Sequence, residues 1–424
     1  VKNPKTEGFC DTRFVALRQQ FEQLIAGYDQ AGAAVAVFYQ GQCVANLWGG
    51  FTDRARSKPW QQQTVVNIYS AGKGVMTLAV LLLVARGKLR LDDPVCAVWP
   101  EFAAHGKNDI TLRHVLTHRS GLPAFSKPVA EDAIFDFDAM VQMLADETPR
   151  WPAGEKQAYH AFTFGWLVGE IIRRVTGKMP GQFITDEFAH DLFAPEPAAQ
   201  RVATPIYVGV PPQHLGDVAD VEVLRQPLPG AVGLQEMLGG EDPARFALTQ
   251  AVFLNPPTLM SGTNRSAWRT AQIPGANAHA SALALARLYN LSLIDHERWP
   301  LALMQQARRE QSSAIDEVLL TPVRFGLGFM LEQRPQGPLY SGLAFGDSQF
   351  GDSQVGDLQK ARAENAYGHP GAGGSIAFAD TDRELAFAYV TRGIGGGTFG
   401  DVRSQQLIEV IDQILNDIRS DSHE

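Results

Sequence analysis

The stretch Asn67-Ile68-Tyr69-Ser70-Ala71-Gly72-Lys73-Gly74, with the apolar run behind it, sets the tightest limit on how this chain can fold. Val75 to Ala85 reads VMTLAVLLLVA, apolar on every side, which marks a helix buried all round. The run is too short to cross a bilayer, so it belongs inside a protein core. Gly87 offers a C-cap, and Asp92-Asp93-Pro94 closes the element. If Ser70 and Lys73 open this helix, they share one face with about 5–6 Å between their Cβ atoms. The serine then sits among the free N–H groups of a helix start, where developing negative charge is favoured. An amine beside a hydroxyl in such a place can activate a serine without histidine. A Ser-x-x-Lys pair alone is a weak signal; its company decides.

The chain has 424 residues, 45% of them hydrophobic and 20% charged, which suits one large globular domain or two interleaved ones. A formal net charge of −9 and the lack of any basic run argue against a nucleic-acid surface. Cys10, Cys43 and Cys96 form neither a disulfide framework nor a CxxC, so no disulfide scaffold and no zinc site is indicated. A reducing compartment fits that usage. Val1-Lys2-Asn3-Pro4 lacks the apolar core of a signal segment, so a cytoplasmic location is expected. The absence of an initial methionine leaves a removed segment open.

Asp11 can cap a helix in which Phe14, Leu17, Phe21, Leu24 and Ile25 recur at helical spacing. Ala33–Tyr39 and Gln42–Trp48, separated by Gln40-Gly41, read as a β-hairpin. Ile110 to Leu122 forms a short helix ending at Ser120-Gly121, where His114 and His118 are better explained as loop-holding residues than as catalytic ones. Phe164 to Val175 is a strongly apolar helix stopped by Gly177. Residues 195–275, rich in Pro, Gly and Ala, read as an insertion around an active-site mouth. Asn277 to Leu293 reads as helix, and Phe325-Gly326-Leu327-Gly328-Phe329 as the start of a strand. A repeat at 346–357 has a five-residue period, unlike an EF-hand, and suits a surface loop. Ile376–Ala379 and Glu384–Val390 form a second strand pair, and the last helix carries Leu407, Ile408, Ile411, Ile414, Leu415 and Ile418 on one face. The expected fold class is α/β (α+β): an antiparallel sheet from both chain ends, flanked by helices, plus a mostly helical lobe. The expected division is 1–70 with 300–424 for the sheet lobe and 71–299 for the helical one, with a cleft between.

Ser70-x-x-Lys73, then Thr111-Leu112-Arg113-His114 through Ser120-Gly121-Leu122, a Pro-x-Gly turn leading to Tyr159, and His369-Pro370-Gly371 follow one another in order. This order resembles the serine β-lactamase and penicillin-binding protein superfamily, most closely the family VIII carboxylesterases, from about residue 10 to the C-terminus. The resemblance implies a β-lactamase/transpeptidase-like fold. It also implies Ser70 as nucleophile, Lys73 as its partner and Tyr159 as the tyrosine of a second motif. His369-Pro370-Gly371 stands where β-lactamases carry Lys-Thr-Gly, which makes His369 and Gly371 expected substrate contacts. The oxyanion donors implied are the backbone N–H groups of Ser70 and Ala372, with Gly373 as an alternative.

Two positions depart from the lactamase pattern. Ala161 stands where an asparagine amide holds a lactam carbonyl or the lysine, and His369 replaces a permanent cation that anchors a carboxylate. A neutral ester has no carboxylate to anchor. The expected function is therefore a serine carboxylesterase acting on short- to medium-chain esters through an acyl-enzyme on Ser70. Lys73 and Tyr159 share the general base and acid work, either with a Lys73 cation drawing Tyr159 toward phenolate or with neutral Lys73 as the base, and no metal or cofactor is needed. The alternatives are a β-lactamase or D-aminopeptidase-like amidase, an acyltransferase, or a noncatalytic scaffold. The expected partner is a small-molecule ester, with no nucleic acid and no membrane; homo-oligomerisation is left open.

Overall fold

The computed structural model describes residues 5–28, 31–188, 205–225, 228, 243–257, 259, 261–332, 366–395 and 401–421. The repeat at 346–357 and part of the 195–275 segment lie outside them. Near the N-terminus come strands β1 (Glu7–Cys10), β2 (Ala33–Tyr39), β3 (Gln42–Gly49) and β4 (Val66–Asn67). The middle of the chain adds β5 (Ile206–Val208), β6 (Glu222–Val223) and β7 (Ala278–Ala280). Later strands are β8 (Ser312–Ile315), β9 (Pro322–Phe325), β10 (Met330–Leu331), β11 (Ala366–Pro370), β12 (Ile376–Asp380), β13 (Leu385–Thr391) and β14 (Gly393–Ile394).

One antiparallel sheet takes strands from both ends of the chain, in the order β1-β3-β2-β13-β12-β11-β10-β9-β8. Its centre is the long-range pair β2–β13, in register from Tyr39 opposite Leu385 to Ala33 opposite Thr391. Successive side chains of a strand point to opposite faces, and here the two faces differ in size. Val35, Val37, Phe378 and Phe387 face the terminal helices Val15–Gly27 and Val402–Asp421, meeting Phe14, Leu17, Phe21, Leu407, Ile411 and Leu415. The other face is alanine-rich: Ala34, Ala36, Ala377, Ala379, Ala386 and Ala388. Small side chains there let the helix Ala282–Ile294 lie close against β2, β12 and β13.

The helix Gly72–Ala85 runs through the larger core, with every residue from Gly72 to Leu83 buried. Its apolar circumference finds partners on all sides, including the helices Thr163–Thr176 and Ala282–Ile294. Truncating a side chain such as Leu78 there costs about 2–5 kcal/mol.

Two elements end differently from their sequence patterns. Asn277–Leu293 is split: Ala278–Ala280 becomes β7 because it pairs with both β4 and β5. Ser281 then caps a helix by accepting the Ala284 N–H. Phe325 ends β9 rather than opening a strand, and the chain turns through Gly326–Phe329 into β10. Gly328 has φ +72°, and a Cβ there would lie 2.2 Å from Thr77 Oγ1, so only glycine fits that turn. No helix among the described residues is long and apolar enough to cross a membrane.

Candidate active site

Ser70 is presented by a break between a strand and a helix. β4 is fixed by Val66 opposite Ala280 and Asn67 opposite His279, and Ile68 N–H donates to the Ala278 carbonyl at 2.8 Å. Tyr69 then takes φ +48°, a left-handed conformation that costs a bulky residue about 1–3 kcal/mol. Its hydroxyl donates to Thr263 Oγ1 at 3.2 Å, which ties the strained residue down. Residues Tyr69–Ala71 form one turn of 3-10 helix leading into Gly72–Ala85, and Ser70 is left half-buried at the helix mouth.

Lys73 is fully buried one turn later. Its Nζ lies 3.1 Å from Ser70 Oγ and donates to the carbonyls of Ala161 and Gly275, both at 2.7 Å. Burial alone drives its pKa well below the ordinary lysine value. A neutral amine has two N–H donors and one lone pair. With the two donors on carbonyls, the lone pair is left for the Ser70 hydroxyl. Two residues on from Gly275, Asn277 ties the loop to the preceding helix end, its amide donating to the carbonyls of Trp268 and Ala271 at 2.7 Å each. Gly165 allows the close fit of the next helix on this loop, since a Cβ there would lie 2.0 Å from Gly275 N.

Tyr159 comes from the extended segment before the helix Thr163–Thr176, and its ring packs between Phe325, His118 and His369 at centroid distances of 6.2, 5.0 and 6.0 Å. Lys73 Nζ stands 5.0 Å from the ring centre. Burial raises the phenol pKa above its ordinary value, partly offset by the Ser70 hydroxyl, so the phenol keeps its proton at neutral pH. Its backbone N–H donates at 2.9 Å to the fully buried Asp316, which also accepts from Val318 N–H at 2.9 Å and Leu319 N–H at 3.0 Å. Asp316 thus pins the tyrosine segment to the turn after β8.

His369 closes the group from β11. Nδ1–H donates to the Pro370 carbonyl at 2.7 Å, which leaves Nε2 as an acceptor without a hydrogen bond among the described residues. Burial, with Lys73 nearby, lowers its pKa to about 3, so the ring is neutral. Gly371 follows: a Cβ there would lie 2.1 Å from the Ile68 carbonyl. Its role in this geometry is to let the end of β11 abut the Ser70 turn. Gly371→Ala should destabilise the fold by about 1–3 kcal/mol, read by urea unfolding, because backbone rather than a mobile side chain blocks the new methyl. Ala372, next in sequence, is half-buried like Ser70. Among the described residues no loop carbonyl takes the N–H of Ser70 or of Ala372.

The other histidines hold structure. His114 completes a capping box with Thr111 at the start of Leu112–Leu116. His118 Nδ1 accepts the His160 N–H at 3.1 Å, and its carbonyl accepts the Ala158 N–H at 3.0 Å, bracing both sides of Tyr159. Sequence reasoning missed Asp316 and the two carbonyls on Lys73. Ala161 is the instructive case. Without an asparagine amide, the backbone oxygen of the same residue grips the lysine.

The beta-lactamase family profile matches residues 17–410. The chain belongs to the beta-lactamase family. It is 30% identical over 403 residues to the esterase/beta-lactamase LipL of Mycobacterium tuberculosis, covering 90% of this chain and 82% of that protein. It is similar in structure to a penicillin-binding protein homologue from Caulobacter crescentus, with TM-score 0.80 and 32% identity over 97% of this chain and all of that one. A family VIII carboxylesterase superposes with TM-score 0.79 and 28% identity, covering 97% of this chain and 100% of its own. These comparisons make the chain a serine hydrolase of the beta-lactamase superfamily with a β-lactamase/transpeptidase-like fold.

Proposed function

We propose that this serine hydrolase is a carboxylesterase acting on uncharged esters of short to medium acyl chain. The observation that carries the reading is the meeting of Ser70 Oγ with a Lys73 amine, 3.1 Å away, whose pKa burial lowers well below the ordinary lysine value. Lys73 takes the serine proton as Oγ attacks the ester carbonyl. The N–H groups of Ser70 and Ala372 receive the oxyanion; losing one such donor typically costs about 2.7–4 kcal/mol. Tyr159, still protonated, gives its proton to the leaving alcohol, and a water activated by the same groups releases the acid. A titrating pair of this kind has shared pKa values, but the depressed lysine and raised tyrosine favour lysine as base and tyrosine as acid.

The substrate class follows from charge. Lys73, His118, His160 and His369 are all pushed toward their neutral forms by burial, so these groups supply no cation to a carboxylate. Ala161 offers no side-chain amide to a lactam. The similarity to LipL, an esterase/beta-lactamase, and to a family VIII carboxylesterase supports an ester substrate. The test is a comparison of kcat/KM for p-nitrophenyl butyrate, nitrocefin and a D-alanyl peptide. The ester is expected to lead by at least about 100-fold, the effect of one missing electrostatic contact on the poorer substrates. A lead for nitrocefin or the peptide would select an amidase instead. Faster transfer to an added alcohol than to water would select an acyltransferase.

A further inference from the structure

Under the turn that carries Ala372 lies a buried guanidinium for which the chemistry above has no use. Residues 371–374 form the turn, with Gly371 N–H donating to the Ser375 carbonyl at 2.7 Å and φ of +86° and +110° at Gly373 and Gly374. Arg403, in the first turn of the C-terminal helix, is 2% exposed. Its Nη2 donates to the carbonyls of Gly373 and Gly393, each at 2.8 Å, and Nη1 reaches Thr391 Oγ1 at 3.3 Å. Asp401 holds the guanidinium from the other side, Nε to Oδ1 at 3.1 Å and Nη2 to Oδ2 at 2.5 Å. The fit is close: a Cβ on Gly374 would lie 2.1 Å from Asp401 Oδ2 and 2.7 Å from Arg403 Nη2.

We propose that Arg403 is a positioning residue for the oxyanion site, acting by holding the Gly373 carbonyl and so the course of the short turn that presents the Ala372 N–H one residue earlier. The proposal rests on the acyl-enzyme reading of Ser70. A guanidinium so deeply buried, with a carboxylate and two carbonyls already on it, is not presented to substrate. It fixes instead two backbone strips, the turn after β11 and the start of β14 just beyond β13. Two glycines with positive φ have no side chains to define that turn, so the clamp on the Gly373 carbonyl limits how far the turn, and the Ala372 N–H with it, can swing. A donor aimed at the oxyanion matters only as charge develops, so misdirecting it lowers kcat and leaves KM in place.

The test uses Arg403→Met and Arg403→Lys in the full chain, with p-nitrophenyl butyrate and a reversible trifluoromethyl ketone of similar chain length. On binding, Ser70 Oγ forms a bond to the ketone carbon, the C=O π pair moves onto oxygen as an alkoxide, and the serine proton passes to Lys73. Arg403→Met should lower kcat by about 10–100-fold, less than or comparable to outright removal of a donor. Ketone affinity should weaken by the same factor, with KM within about twofold of wild type. Arg403→Lys, which can still reach one carbonyl, should lose about 3–10-fold in both quantities. Loss of kcat with unchanged ketone affinity, or a rise in KM alone, overturns the proposal. So does a folded Arg403→Met that matches wild type. If Arg403→Met fails to fold, Arg403→Lys decides: parallel losses support the clamp, and wild-type values refute it. Ser70→Ala separates the two readings. Turnover by that variant removes the acyl-enzyme itself, whereas a dead Ser70→Ala beside unaffected Arg403 variants removes only the clamp.

Discussion

Ser70→Ala is expected to lower kcat for p-nitrophenyl butyrate by on the order of 10⁶-fold, the scale seen when a serine hydrolase loses its nucleophile. Alanine fits the half-buried helix mouth without disturbing the strand pairing that holds it, so the melting temperature should stay near that of wild type. The label from a fluorophosphonate, read by intact mass, should vanish with the activity. Tyr159→Phe is the companion measurement. The ring keeps its packing against Phe325, His118 and His369 and loses only the hydroxyl. Loss of that general acid should cost about 10²–10⁴-fold in kcat. Wild-type turnover by either variant would dismiss the mechanism.

The second large effect concerns the charge on Lys73. If the neutral amine is the base, Lys73→Arg should be as inactive as Lys73→Met, about 10²–10⁴-fold below wild type, because a guanidinium holds its proton throughout. If a lysine cation instead served to draw Tyr159 toward phenolate, Lys73→Arg would keep much of the activity. The pH profile gives an independent reading. Activity should fall on the acid side as Lys73 takes a proton, with its midpoint well below the ordinary lysine value. Stability has the matching sign. Between the depressed folded pKa and the ordinary lysine value, the unfolded chain binds the extra proton. Wild type should therefore gain stability over Lys73→Met as pH rises through that window. Denaturant midpoints for the two proteins at pH 7 and pH 9.5 check this, and a wild-type midpoint that falls relative to that of Lys73→Met toward alkaline pH would contradict a depressed lysine pKa.

The parts of this site that were legible in the sequence are side chains with a fixed local spacing. Ser70 and Lys73 are one helical turn apart, and the apolar run after them admits only a buried helix. Alternation in Ala33–Tyr39 gave no polar face because both faces of that strand are covered, and the hairpin was still readable from its length and turn. Backbone groups carry no such signature. The carbonyls of Ala161 and Gly275 hold Lys73 from two separate segments, and nothing in an alanine or a glycine announces that task. Asp316 was equally silent, the first of two adjacent acids after a short exposed strand, which meets Tyr159 only through the fold. The split of Asn277–Leu293 has a tertiary cause as well: helix-compatible residues were drawn into β7 by two waiting strand edges.

The pairing of β2 with β13 joins segments about 350 residues apart. At a synthesis rate of roughly 5–20 residues per second, the N-terminal hairpin emerges on the order of 20–70 s before its central neighbour. During that interval the Ala33–Tyr39 edge has no β13 to pair with and is open to other chains. Ribosome-bound chains halted before residue 385 should therefore lack the finished sheet, stay sensitive to protease and associate with holdase chaperones.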